Sequence, residues 1–150
     1  MALATRLLVV SFVGFCAVGC GDDQDPEGAM ELWDRIHAQN YRSFDRAPGY
    51  PSRSPTSAPH GDEVDIYVND VVVEALATAG RTTWPKGSLI VKDGWSGGDL
   101  EIVAAMEKRD DGWFWVEWDG EGDAGYSGKP DICIDCHASG SDGVRAFSLP

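Results

Sequence analysis

Three apolar-rich segments, residues 88–95, 100–108 and 113–118, follow one another with only "SGGD" and "RDDG" between them. Connections this short can join only antiparallel strands, because a parallel pair needs a crossover of a dozen residues or more. Glycine supplies the positive φ that such hairpin turns demand. Upstream, from residue 63, Val64, Ile66 and Val68 alternate with Asp65, Tyr67 and Asn69, the period of a half-buried strand. The chain is therefore expected to be α+β, mainly an antiparallel β-sheet meander carrying two or three short helices.

Two helices are legible. Met30, Trp33, Ile36 and His37 fall at helical spacing over residues 29–39. Asn69 or Asp70 can cap a second helix whose apolar face runs through Val72, Ala75, Leu76 and Ala79, with Gly80 as its stop. Residues 47–59, with prolines at 48, 51, 55 and 59, read as a loop, and so does the glycine-rich stretch 119–129.

The N-terminus has a different character. Residues 1–19 carry one positive charge, Arg6, then an apolar run too short to span a membrane, which marks an export signal. The run ends in "AVGC", which resembles a bacterial lipobox. On that reading Cys16 leaves with the signal, Cys20 is acylated and anchors the protein on the periplasmic side of a membrane, residues 20–28 form an acidic tether, and residues 29–150 form one domain. With 25 Asp and Glu against 12 Lys and Arg, and no basic stripe, nucleic acid is excluded as an expected partner. An acidic surface suits an exported domain and favours a basic redox partner.

The chemistry is concentrated in "DICIDCHASG", where Cys133, Cys136 and His137 form C-x-x-C-H. Two thiols three positions apart on a helical turn can add across the two vinyl groups of a haem, and the histidine that follows can ligate its iron. A dithiol redox pair normally opens a helix after an early strand, a zinc site would need a fourth ligand that neither His37 nor His60 is spaced to supply, and a disulfide would leave His137 unexplained. One covalent haem c is therefore the expected cofactor, with His137 as metal ligand. For the sixth position Met30, Met106, His37 and His60 are available, and none stands out, so an open distal face is expected. A simple electron carrier with Met106 or His60 as sixth ligand is the alternative.

The succession "YRSF", "HGDEVDIYVND", "WPKGSLIVKDG", "GWFWVEW", "CIDCH" and "DGVRAF" resembles cytochrome P-460 and its relative cytochrome c′-β over nearly the whole exported chain. The resemblance implies a mostly antiparallel β fold, one c-type haem per subunit, export, a homodimer and an open distal iron site. In cytochrome P-460 a lysine is crosslinked to the haem and hydroxylamine is oxidised; in cytochrome c′-β the crosslink is absent and nitric oxide or carbon monoxide is bound without turnover. "GSLIVKD" is similar to the strand that bears the crosslinking lysine, which carries that role to Lys92. Period two, however, sets Lys92 with Ser88 and Ile90, opposite Leu89 and Val91, so a core on the Leu89 face would leave it pointing to water. Oxidising hydroxylamine also requires a group that moves protons. Asp142 is the first candidate and Glu117 the second, while Arg145 is placed to neutralise a haem propionate.

Overall fold

The computed structural model describes residues 24–57 and 59–150; the segment read as an export signal and Cys20 lie outside the described residues. In order, the elements are α1 (Pro26–Ala38), a 3-10 turn (Tyr41–Ser43), β1 (Asp45–Arg46), β2 (Ser54–Pro55), β3 (Glu63–Val68), α2 (Asp70–Leu76), β4 (Leu89–Ser96), β5 (Asp99–Arg109), β6 (Gly112–Asp119), β7 (Ala124–Gly128) and α3 (Asp131–His137). All strands join one antiparallel sheet in the order β1-β3-β4-β5-β6-β7, with β2 also paired to β3. The α+β meander is thus as expected. Among the described residues no helix is long and apolar enough to cross a membrane.

Three local expectations are corrected. The first helix begins at Pro26, inside the segment read as tether: Asp25 caps it by accepting from Gly28 N, and Pro26 at the first turn has no N–H to leave unpaired. The stretch 119–129 is not all loop, because residues 124–128 add β7 to the edge of β6. Its glycines hid the strand, since they carry no side-chain alternation to read. Within 47–59, Ser54 and Pro55 pair with β3 at its edge, where a proline's missing N–H costs the ladder nothing.

Both faces of the sheet are covered. Leu89, Val91, Val103, Ala105, Phe114, Val116 and Trp118 pack with Leu32 and Ile36 of α1. Ile66, Ile90, Met106, Trp113 and Trp115 point the other way and pack with Val72 of α2, Trp84, Val144 and Phe147, with Cys133 of α3 against their edge. This two-sided burial decides the question left by the strand period. Lys92 lies opposite Leu89 and Val91, but that side of the sheet is covered as well.

Candidate functional site

Strand register brings the first site residues together. Lys92 of β4 pairs with Ala104 of β5, and Ala104 with Glu117 of β6. Directly opposed residues on antiparallel strands share a face, so the three form one row across the sheet. With strands spaced by just under 5 Å, the outer two stand about 10 Å apart. The methyl group of Ala104 fills little of that gap, and a cleft opens there, floored by the row and walled by Ile90, Met106 and Trp115. Cys133 and His137 of α3 and His60 of the 59–62 turn close its outer side. The empty space in the cleft and at its open mouth together comes to about 400 Å³.

Lys92 points into this cleft. Burial holds its amine below the usual lysine range; Arg145 adds to that push, and Cys136 and Glu117 oppose it. Glu117 Oε2 lies 2.7 Å from His60 Nδ1. The contact is close but out of line, since Nδ1 makes no aligned hydrogen bond.

On α3, Cys133 and Cys136 stand three positions apart, almost one turn, and neither is in a disulfide. Cys133 is half-buried and Cys136 exposed, with Arg145 Nη1 3.1 Å from the Cys136 sulfur. The His137 ring stands edge-on to Trp115 at 4.6 Å between centroids. Its Nδ1 lies 2.8 Å from the carbonyl oxygen of Gly143. A carbonyl can only accept, so Nδ1 carries the proton and Nε2 keeps its lone pair, the arrangement that orients histidines bound to metals. Burial lowers the His137 pKa, and the hydrogen bond to Gly143 opposes the shift. The net shift is downward, helped by the nearby positive charges of Lys92 and Arg145, and it favours the neutral ring near pH 7, as a ligand must be.

What holds the Gly143 carbonyl there was not anticipated. Three successive carbonyls of the tail turn accept from three rings: Ser141 from Trp84 Nε1 at 2.9 Å, Asp142 from Trp113 Nε1 at 2.6 Å, and Gly143 from His137. Trp84 and Trp113 are therefore hydrogen-bond donors that set the turn behind the histidine. Asp142 sits at φ 46°, a left-handed conformation that aspartate tolerates better than most residues. Its carboxylate accepts from Trp84 N at 2.8 Å and from Lys108 Nζ at 2.8 and 3.0 Å. Asp142 thus lines a neighbouring hollow beside His137 rather than the cleft of Lys92 and Glu117.

This yields a prediction. Asp142→Ala removes the acceptor of a backbone N–H and the partner of a half-buried ammonium, for an expected loss of about 2 kcal/mol, a fall in Tm of roughly 5 °C for a chain of this size. Asp142→Asn, which keeps the acceptor and tolerates the same φ, is expected to lose less than half as much. Equal losses in thermal denaturation would show that the ion pair alone matters.

The fit of the residues to a covalent haem can be judged from these observations. The two thiols stand at attachment spacing on the rim, the orienting hydrogen bond leaves Nε2 as donor, and the apolar walls suit a flat macrocycle. Among the described residues no group of three or more His, Cys, Asp or Glu is arranged to hold a metal ion by itself. A haem iron needs only His137 from such a set, because the porphyrin supplies four nitrogens. Compared with protein-family models and with curated proteins, the chain matches none.

Proposed function

We propose that this chain is an exported, lipid-anchored monohaem protein of the cytochrome P-460 kind, which oxidises hydroxylamine or a related small nitrogen compound. The observation that carries the proposal is the convergence of Lys92, Glu117, Cys133 and His137 on one cleft. Cys133 and Cys136 would hold the haem through thioether bonds, His137 would ligate its iron, and Lys92 would crosslink it. The haem would supply an iron with one open position and a store for the electrons removed from the substrate.

The side chains account for the remaining requirements. Burial raises the share of neutral Lys92 amine, the form able to bond to carbon. Glu117 is a carboxylate at the mouth of the cleft, within reach of solvent, and it takes up the protons that leave the substrate. Asp142 is assigned to holding the turn behind His137, its carboxylate being occupied by Lys108 and Trp84. Arg145, beside Cys136 and exposed, is the cation for a propionate. Electrons leave to a redox partner cytochrome, for which a net charge of −13 favours a basic surface. Cys20 anchors the protein on the periplasmic face, and a homodimer is the expected assembly.

A second reading is favoured by the apolar walls of the cleft, formed by Ile90, Ala104, Met106 and Trp115: a binding protein of the cytochrome c′-β kind that takes up nitric oxide or carbon monoxide without turnover. Intact mass and the haem spectrum of the purified protein decide between them. If Lys92 crosslinks the haem, the group stays on the chain after chemical cleavage of both thioethers, and Lys92→Ala releases it. Release from the wild type would refute the crosslink and favour the gas binder. A low-spin six-coordinate spectrum would point instead to a carrier with Met106 or His60 as sixth ligand.

A further inference from the structure

His60 occupies a singular place. Three adjoining hollows surround the cleft: the inner one that holds Lys92 and Glu117, an outer one along Tyr126 and α3, and another toward Tyr50 and Arg145. His60 is the one residue that lines all three, so its ring stands where the inner cleft meets the outside. Its backbone is tightly held. Gly61 lies at φ +95° against the backbone of Trp95, and any side chain at Gly94 would collide with the His60 carbonyl. Asp62 N donates to Trp95 O at 2.8 Å, pinning the turn to the end of β4. On a backbone held this firmly, the ring is 83% buried, with Nδ1 2.7 Å from Glu117 Oε2 and in hydrogen bond to no group among the described residues, so Glu117 is the neighbour it can act on.

Glu117 needs such a neighbour. It is a quarter exposed, at the edge of the cleft, and a carboxylate so placed gains by turning outward to water. Lys92 attracts it from within, but Lys92 stands across the width of Ala104. We propose that His60 is a positioning residue that keeps the Glu117 carboxylate turned toward the cleft. This rests on the reading of Glu117 as the group that takes up substrate protons. The other charged or titratable groups lining these hollows around His60 are Lys92 on β4, Tyr126 on β7, Cys133, Cys136 and His137 on α3, Tyr50, and Arg145 in the tail. Glu117 is the only anionic side chain among them at ion-pair distance.

The test uses the full chain, as the carbonmonoxy ferrous form if it carries haem, labelled with nitrogen-15. Glu117→Gln is expected to move the His60 ring-nitrogen signals while those of His37, on α1 at the opposite face of the sheet, stay in place. In hydroxylamine oxidation, His60→Ala is expected to lower kcat about tenfold with KM changed less than twofold, the size of effect that orienting groups produce. His60→Gln, which can still donate to the carboxylate, recovers most of that loss. Adding His60→Ala to Glu117→Gln costs nothing further, because both act through one group. Unmoved His60 signals in Glu117→Gln overturn the proposal whether or not the protein oxidises hydroxylamine. So does a His60→Ala defect that Gln fails to rescue or that adds to the loss in Glu117→Gln. If the His60 signals respond but the wild type does not oxidise hydroxylamine, the pairing stands and the reading of the reaction falls.

Discussion

In a Lys92→Ala background, where no crosslink can form, replacing Cys133 and Cys136 together by serine is expected to abolish covalent haem: intact mass should fall to that of the polypeptide alone, and acidified organic solvent should extract all the pigment that remains. The argument is local to α3. The helix is one residue longer than its six-residue "DICIDC" core, and it places one sulfur against the sheet edge and the other in the open, beside Arg145. A macrocycle laid against Trp115 and the Lys92 row would present its rim to both. Single replacements should each leave one thioether and a shifted spectrum. His137→Ala should leave attachment intact but change the iron spectrum, since the two thiols alone do not ligate the metal. Two outcomes would refute the assignment: a wild type that carries no covalent group, or one in which Cys133 and Cys136 are joined as a disulfide. The latter would return the pair to thiol redox chemistry.

How far the site could be read in advance depends on what each feature requires. The meander was legible because its two turns are short and its strands alternate. The β5–β6 register followed from the two-residue turn at Asp110 and Asp111, which sets Ala104 opposite Glu117. The β4–β5 register did not follow, because the pairing slips by one residue between Gly94 and Trp95. Without that bulge Lys92 would face Val103 rather than Ala104, and the row that floors the cleft would not exist. The bulge is bound up with His60, whose carbonyl is packed against Gly94, so the two features hidden in the sequence are one structural event. Lys92 was ambiguous for a second reason: strand period tells which residues share a face, not whether both faces are covered. His60 and Asp142 exchanged importance for the same kind of reason. Their roles come from contacts 57 and 58 positions away in the chain, to Glu117 and to Trp84, and local pattern carries no trace of these.

The second large effect is expected at Asp93, which shares β4 with Lys92 but faces the other way. Its side chain is fully buried, accepts from the Tyr41 hydroxyl at 2.7 Å and pairs with Arg42 Nε at 2.7 Å. Asp93→Ala would strand a buried hydroxyl and leave Arg42 without its anion. Because Arg42 is nearly half exposed and can recover water, the loss is placed at the low end for a broken buried pair, about 3 kcal/mol. For a chain of this size that lowers Tm by roughly 10 °C. Asp93→Asn, which still accepts from Tyr41, should lose less. The same cluster sets an alkaline limit. Burial, and then the hydrogen bond to Asp93, raise the Tyr41 pKa far above its ordinary value of 10.0. Above pH 10 the unfolded chain therefore releases a proton that the folded chain keeps, and the stability present below pH 10 declines as pH rises. In the haem-free chain, where its amine is not crosslinked, Lys92 acts in the opposite sense: its pKa is lowered on folding, so stability rises with pH until the unfolded lysine is itself neutral, near its ordinary 10.5. Beyond that point the tyrosine effect is left without that offset. Urea unfolding of the haem-free chain between pH 9 and 12 should show a decline steepening above about pH 10.5 in the wild type, and Tyr41→Phe should be less stable at pH 8 yet flatter above pH 10. A Tyr41→Phe curve parallel to the wild type throughout would mean that Tyr41 ionises as readily folded as unfolded, and that its bond to Asp93 does not persist in solution.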